Sequence, residues 1–570
     1  MNTTAQSLPT RDPSSQSSPL RFVTAASLFD GHDAAINIMR RLIQAQGAEV
    51  VHLGHNRSVE DVVRAALQED ADGIALSSYQ GGHVEYLKYM VDMLRERDAS
   101  HIRVFAGGGG TITPEEIREL EAYGVERIYH PNDGMHMGLV AMIEDVVRRA
   151  AAARLPVEKP HKVAFDNEIE IGRMLSAIEE SALDEAELAH LRKEWQLAGG
   201  RTPVIGITGT GGAGKSSVTD ELLNRFLASF PEMRIAVISV DPTRRRTGGA
   251  LLGDRIRMNS LRSPRVFMRS MATRRQHMST NVVLKDCIGF LKSLGYDLVI
   301  VETAGIGQSD SEIVDLVDFP MYVMTSDFGA PSQLEKIDML DYAELVVLNK
   351  FDKRGAEDAL RDVRKQWKRN RVAFQMKDED VPVYPTIASQ FNDPGISWMF
   401  ANLCRLLREK KGKGGQVHVS SASGGSGEGS GSKSEPAPLF PLPDIDTTLK
   451  EPRATVLIPG QRVRYLAEIA EQGRSINARI ESQSEVADRA QSLWQALGEL
   501  GDAARPKALD LYAAEALVEG DDRSLRTLRQ RYNDAVQSLD SEAIKLLREW
   551  PTRLASITED VNEYQVRDKT

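Results

Sequence analysis

The sequence predicts an α/β protein with two parallel, doubly wound sheets and a helical C-terminal segment. Three observations carry that prediction. Short apolar runs alternate with amphipathic helical stretches from Arg21 to about Ala150, as repeated strand–helix units do. The alternation resumes at Val204, where it opens on an apolar strand, a glycine-rich loop and a helix. It stops at a Gly/Ser tract, beyond which helical periodicity alone continues.

Taken in order, the first twenty residues are rich in Ser, Thr, Pro and Gln with no apolar signal core, which predicts a disordered tail over 1–20. The first α/β unit spans 21–150. Its strands are expected at Phe22–Ser27, Glu49–Leu53, Gly73–Ser77, Arg103–Ala106 and Arg127–Tyr129. Helices are expected between them at Ala34–Ala45, Glu60–Gln68, Val84–Arg95 and Pro114–Tyr123. Ligands of such sheets sit beyond the carboxyl ends of the strands, where strand order reverses. Glu/Lys-rich helical periodicity without strands predicts a helical linker over 151–200, and the second α/β unit spans 201–411. The tract SSASGGSGEGSGS lies in a flexible linker over 412–438, because its composition buries too little apolar surface to fold. A helical segment over 439–570 completes the chain.

Composition excludes several classes. At 570 residues, with 41% hydrophobic and 27% charged residues, the chain has several core-forming domains. A net charge of −11 opposes a nucleic-acid partner, since phosphate polyanions repel an acidic surface. Two cysteines, Cys287 and Cys404, make neither a disulfide framework nor a thiolate metal cage, which predicts a reducing, cytoplasmic setting. No run approaches the ~18 apolar residues of a bilayer span, so no membrane association is expected.

The segment GTGGAGKS at Gly209–Ser216 follows the strand VIGIT and precedes the helical SVTDELLNRFL, the P-loop pattern in its required context. Backbone N–H groups around Gly211, Gly212, Ala213 and Gly214 would wrap phosphates, aided by the positive end of the helix. Lys215 would reach the β/γ-phosphates and the Ser216 hydroxyl would ligate Mg2+. DLVIVETAGIGQ at Asp297–Gln308 places Glu302 and Thr303 beside that ion, with Gly305 toward the γ-phosphate. LVVLNKFD at Leu345–Asp352 ends in Asn349, Lys350 and Asp352. A carboxylate there accepts from the ring N–H and exocyclic amino group of guanine, which adenine does not offer. PTIASQ at Pro385–Gln390 would close over the base. The order of these elements is that of P-loop GTPases, with Lys215, Glu302 and Asp241 the expected catalytic set.

Between the P-loop and ETAGIGQ stands VISVDPTRRRTGGALLGDRIRM, Val237–Met258. It resembles a switch segment of the cofactor-chaperone GTPases. The resemblance implies that Asp241 and Asp254 join Ser216 and Glu302 at the metal, with Arg257 close to the nucleotide. The triplet Arg244–Arg246 departs from that family's less charged habit and reads as a solvated loop. No residue in these motifs stands out as the group that orients the attacking water.

In the first unit, LFDGHDAA puts Asp30, Gly31 and His32 at the end of the first strand. Asp-x-His lets a carboxylate hold one ring nitrogen while the other faces a metal. LSSYQGGH at Leu76–His83 and VFAGGGGTI at Val104–Ile112 end later strands with small residues. His52, His55, His83, His101, His130 and His136 show no ligand spacing and read as surface or core. Together the three segments resemble the flavodoxin/Rossmann-like cobalamin-binding domain of adenosylcobalamin-dependent mutases. By that resemblance His32 is the lower ligand of cobalt and Asp30 polarises it. Ser77, Gly107 and Gly108 line the slot for the nucleotide tail. Ala35 stands where that family has glycine, and Tyr79 where it has leucine.

A cobalamin domain and a chaperone-type GTPase on one chain resemble the fused isobutyryl-CoA mutase family, in which both modules precede an acyl-CoA-binding barrel. The resemblance implies adenosylcobalamin, Mg2+ and GTP, a homodimer, an adenosyltransferase as cofactor donor, and a GTPase that gates cofactor loading. A barrel needs about 250 residues, and about 130 follow the Gly/Ser tract. The chain is therefore expected to bind cobalamin and hydrolyse GTP without isomerising acyl-CoA alone. Two other readings stay open: a corrinoid carrier, sensor or chaperone acting on a separate mutase, and a signalling GTPase beside a cofactor-free receiver-like domain.

Overall fold

Apolar runs buried on both faces form the strands, as parallel sheets require. In the computed structural model the described residues are 18–558, apart from 161–162, 245, 274–276, 304–312, 330, 412–439, 453–464 and 521. The predicted tail up to residue 17, the Gly/Ser tract and Gly305 lie outside them.

The first unit supplies β1 (Arg21–Ser27), β2 (Glu49–Arg57), β3 (Gly73–Ser77), β4 (Arg103–Gly107) and β5 (Arg127–Tyr129). The intervening helices are Asp33–Ala45, Val59–Gln68, His83–Glu96 and Pro114–Tyr123, within a few residues of expectation. The second unit supplies β6 (Val204–Gly209), β7 (Ile235–Pro242), β8 (Ala250–Leu252), β9 (Val266–Thr273), β10 (Leu298–Thr303), β11 (Phe319–Met324), β12 (Leu345–Asn349) and β13 (Val383–Thr386). Seven of these form one sheet in the order β13-β12-β11-β6-β10-β7-β9. The eighth does not. Strand β8 crosses to the first sheet, whose order is β5-β4-β3-β1-β2-β8, and pairs in parallel with β2 through Glu49↔Ala250, Val50↔Leu251 and Val51↔Leu252.

The residues predicted as a linker are packed structure. Helix Glu168–Glu179 buries Ile171, Met174, Leu175 and Ile178, an i, i+3, i+4, i+7 stripe, in the same core as Val299 and Val301 of β10. Helix Glu185–Gly199 covers that core with Trp195, whose ring stands 5.8 Å from Phe290.

Contacts divide the chain into Met1–Thr455 and Val456–Thr570, so the division falls beyond the predicted 438. The cause is Phe440, fully buried in the core of the β6 sheet with its ring edge-on to Phe230 at 6.2 Å. The second part contains helices Tyr465–Glu499, Arg523–Ser538 and Ser541–Ile557. Its own small core joins Leu497, Tyr512, Tyr532 and Val536, beside an Asp502–Arg529 ion pair.

Candidate functional site

Strand β6 runs into the loop that ends at helix Lys215–Ser229, so the P-loop lies at the centre of its sheet. Lys215 Nζ donates to the carbonyls of Gly209 (3.0 Å) and Thr210 (3.2 Å), which holds the amine over the loop. Glu302, at the end of neighbouring β10, stands 2.8 Å from Ser216 Oγ and 2.8 Å from Thr219 Oγ1. Asp254 approaches the same Ser216 Oγ at 2.9 Å and also accepts from the Ser239 hydroxyl. Asp241 accepts the Gly253 N–H at 3.3 Å. Arg257, largely exposed, lies 3.7 Å from Asp254. Thr303 closes β10 in register with Val240.

Burial, and next the Asp254 carboxylate, push Glu302 up to about 8; the same two causes raise Asp241. Acids raised in this way are relieved by a nearby cation. Among the described residues no three His, Cys, Asp or Glu side chains form a metal cage. The donor set instead suits Mg2+, which keeps waters and substrate phosphate oxygens and takes one or two carboxylates from the protein.

The base end is tied to the P-loop. Asn349 Nδ2 donates to the Ala213 carbonyl at 2.8 Å, and Asn349 Oδ1 accepts from Thr386 Oγ1 (3.1 Å) and the Ala388 N–H (3.0 Å). Lys350 turns the chain at φ 57, and Asp352 is exposed beyond it. The two predicted base-side segments thus meet each other and the P-loop.

In the first sheet, strand order reverses at β1, which lies between β2 and β3. Asp30 and His32 follow β1, and Ser77 ends β3. Asp30 is buried. Its Oδ1 accepts the His32 N–H and faces His32 Nδ1, each at 2.9 Å, while Oδ2 accepts the Tyr79 N–H at 2.7 Å. A carboxylate at Nδ1 assigns the proton there and leaves the Nε2 lone pair free. The ring itself is 75% exposed, with the Tyr79 ring 5.4 Å away. Sequence reading did not anticipate that Tyr79 contributes to the Asp30–His32 arrangement, because its main contribution is a backbone N–H.

Beside this loop a cavity of about 320 Å³ is lined by Ala35, Ser77, Tyr79, Phe105, Gly107 and Gly108, among others. Ser77 Oγ is buried there without a partner. Gly108 is required, since a Cβ would collide with the Ser78 carbonyl. His83, read as surface or core, is buried with Nδ1 3.1 Å from the Gln80 carbonyl and Nε2 3.2 Å from Glu116.

Residues 20–135 match the model of the B12 binding domain, and residues 171–418 match that of the methylmalonyl-CoA mutase-associated GTPase MeaB. Fused isobutyryl-CoA mutase of Geobacillus kaustophilus is 46% identical over 96% of this chain and 48% of its own length. That of Cupriavidus metallidurans is 46% identical over 99% of this chain and 47% of its own. The chain thus carries segments that match a B12-binding domain and a MeaB-type GTPase, and over nearly its whole length it is similar to fused isobutyryl-CoA mutases. It spans about half the length of the curated relatives it matches. Among solved structures, LAO/AO transport system kinase aligns at 17% identity and a TM-score of 0.32, over 59% of this chain and 89% of that one.

The first unit fits the cofactor that a B12 binding domain implies. The orphaned Ser77 hydroxyl, the close approach at Gly108 and the apolar cavity walls suit a bulky, partly polar tail between sheet and helices.

The two sites share one framework. Arg21, Arg255 and Arg269 meet Glu49, Glu69 and Glu179 in a buried cluster of balanced charge, with Arg21–Glu49, Arg255–Glu69 and Arg269–Glu179 at 2.7, 2.7 and 2.8 Å. Arg64 adds bonds to Glu168 and to the carbonyls of Leu261, Ser263 and Val266. Of these residues only Arg255 falls in a segment singled out in the sequence, Val237–Met258, and its role there was not anticipated.

Proposed function

We propose that His32 would hold the cobalt of adenosylcobalamin, with Asp30 fixing its tautomer and Ser77, Gly107 and Gly108 receiving the nucleotide tail. The observation that carries this is the His32 imidazole, bonded at Nδ1 to a buried carboxylate, largely exposed, and next to the ring of Tyr79, which lines the cavity. When bound, that cofactor would supply radical chemistry. The chain's own part is to hold imidazole and tail in register.

At the second site Lys215 neutralises the β/γ-phosphates, Ser216 with Asp241, Asp254, Glu302 and Thr303 holds Mg2+ through first or outer contacts, and Arg257 flanks the nucleotide. Gly211, Gly212, Ala213 and Gly214 wrap the phosphates. Asn349 and Lys350 shape the base pocket and Asp352 selects guanine. Lys215 acts on the hydrolytic step by stabilising charge on the transferred phosphoryl group, and Glu302 and Asp241 act on it through the Mg2+ they would help to hold.

In the whole protein these modules serve the interconversion of isobutyryl-CoA and n-butyryl-CoA, with acyl-CoA held by a barrel and GTP hydrolysis gating cofactor loading. A homodimer, an adenosyltransferase donor and a cytoplasmic setting belong to the same proposal. Two buried free cysteines, and no described helix long and apolar enough to cross a membrane, accord with it. The test is electron paramagnetic resonance of cob(II)alamin bound to protein carrying 15N-labelled histidine. Superhyperfine doublets that vanish in His32→Ala support the ligand; dimethylbenzimidazole triplets refute it.

A further inference from the structure

Past β8, the switch segment reaches the end of β2. Arg57 Nη2 donates to the Ile256 carbonyl at 3.4 Å, and its Nε donates to the Leu53 carbonyl at 2.6 Å. The Ile256 side chain lies over Gly54, where a Cβ would stand 2.7 Å from Ile256 Cδ1, and Gly54 has φ 88. Two residues on, Asn56 adopts φ 55 and its Oδ1 accepts the Phe29 N–H at 2.9 Å. Phe29 adopts φ 63 with its side chain 85% exposed. A bulky residue held left-handed with little burial of its ring is strained. The bond from Asn56 helps hold it. The next residue is Asp30, whose carboxylate orients His32.

We propose that Asn56 is the positioning residue through which nucleotide state reaches the His32 loop, an inference that rests on reading His32 as the cobalt ligand. At one end of the link, Asp254 shares the Ser216 hydroxyl with Glu302, so Mg2+ and phosphate arriving there rearrange its bonds. Arg255, clamped on Glu69, is a fixed point in the middle. Displacement of Asp254 about that point moves Ile256, which grips the turn at Gly54 and Arg57. Asn56 carries the movement to Phe29, and the strained loop shifts Asp30 and His32. A contiguous set of bonds of this kind acts only if both sites bias it, so the decisive readout is energetic coupling.

Amide hydrogen exchange over residues 28–33 reads the link with no corrinoid present. In the full chain, a non-hydrolysable GTP analogue with Mg2+ is expected to change exchange there about fivefold or more. Asn56→Gly tolerates the positive φ while deleting the acceptor, and should lose the response. Asn56→Asp keeps an acceptor oxygen and should retain it, which a loss of folding would not mimic. Binding of a fluorescent GTP analogue certifies each variant. If Asn56→Gly fails that check, Ile256→Ala interrupts the link from its other end and should lose the response too. An equal response in wild type and the interrupted variant overturns the proposal, as does no response in wild type carrying the analogue. Titration with adenosylcobalamin separates the two readings: a wild type that responds to nucleotide but binds no corrinoid retains the link and loses the ligand assignment.

Discussion

Arg255 and Glu69 are 186 positions apart in the chain, yet their side chains meet at 2.7 Å with almost no exposure. The pair locks the residue after Asp254 to the helix end that follows β2. It also completes a cluster in which Glu69 accepts the N–H and hydroxyl of Ser270. Removing one partner of a buried pair strands the other charge, which costs about 3–5 kcal/mol. Glu69→Gln and Arg255→Met should each lower the first thermal transition in calorimetry by several degrees. The double variant should lose less than the two single losses together, since neither charge is then orphaned. Strictly additive losses would mean that the pair does not couple.

Asp72 accepts the Arg21 N–H at 2.7 Å and lies 3.3 Å from Arg154, but burial outweighs both and pushes its carboxyl up from 3.8 to about 6. A raised folded value means that the native state holds this proton more tightly than the unfolded chain does. The resulting stabilisation is fully present below the unfolded value and is lost as pH rises through about 6. Relative to Asp72→Asn, wild type should therefore gain stability as pH falls from 7 to 4, by on the order of 3 kcal/mol at most. Urea unfolding of both proteins across that range checks the sign.

Ser77 presents its unpartnered hydroxyl to the cavity beside β3. Ser77→Leu removes that hydroxyl and fills space that the proposed nucleotide tail would need. Affinity for adenosylcobalamin should fall about tenfold or more, equivalent to about 1.4 kcal/mol, while the GTP analogue still binds. Absorbance titration measures the first and fluorescence the second.

Asp352 stands exposed past the tight turn at Lys350, free to accept from a base. Asp352→Asn replaces one acceptor with a donor. Discrimination of GTP over ATP should fall about a hundredfold, and xanthosine triphosphate, whose C2 carbonyl accepts from the new amide, should be hydrolysed in place of GTP. Steady-state kcat/KM for the three nucleotides decides this.

Much of this was legible in the sequence because it is local. The five strands of the first unit, the loop at Gly209–Ser216, and Asp30 with His32 all announce themselves within about ten residues. What stayed hidden is long-range. Ala250–Leu252 is three apolar residues in a Gly- and Arg-rich loop, too short to signal a strand, and its partner lies 200 positions earlier. Nothing local in the sequence pairs Glu69 with Arg255, because their burial depends on two sheets meeting. Asn56 was missed because β2 was expected to end at Leu53, whereas the strand continues to Arg57 with its last residues turned toward the loop after β1. The helices of 168–199 read as a spacer because charged residues hide their apolar stripe.

The most direct test of two ligand sites on one framework is absorbance titration of the full chain with adenosylcobalamin, with and without a GTP analogue and Mg2+. A base-off spectrum is expected, absent in His32→Ala, with an affinity that nucleotide shifts about fivefold or more. A base-on spectrum, or an affinity indifferent to nucleotide, would contradict it.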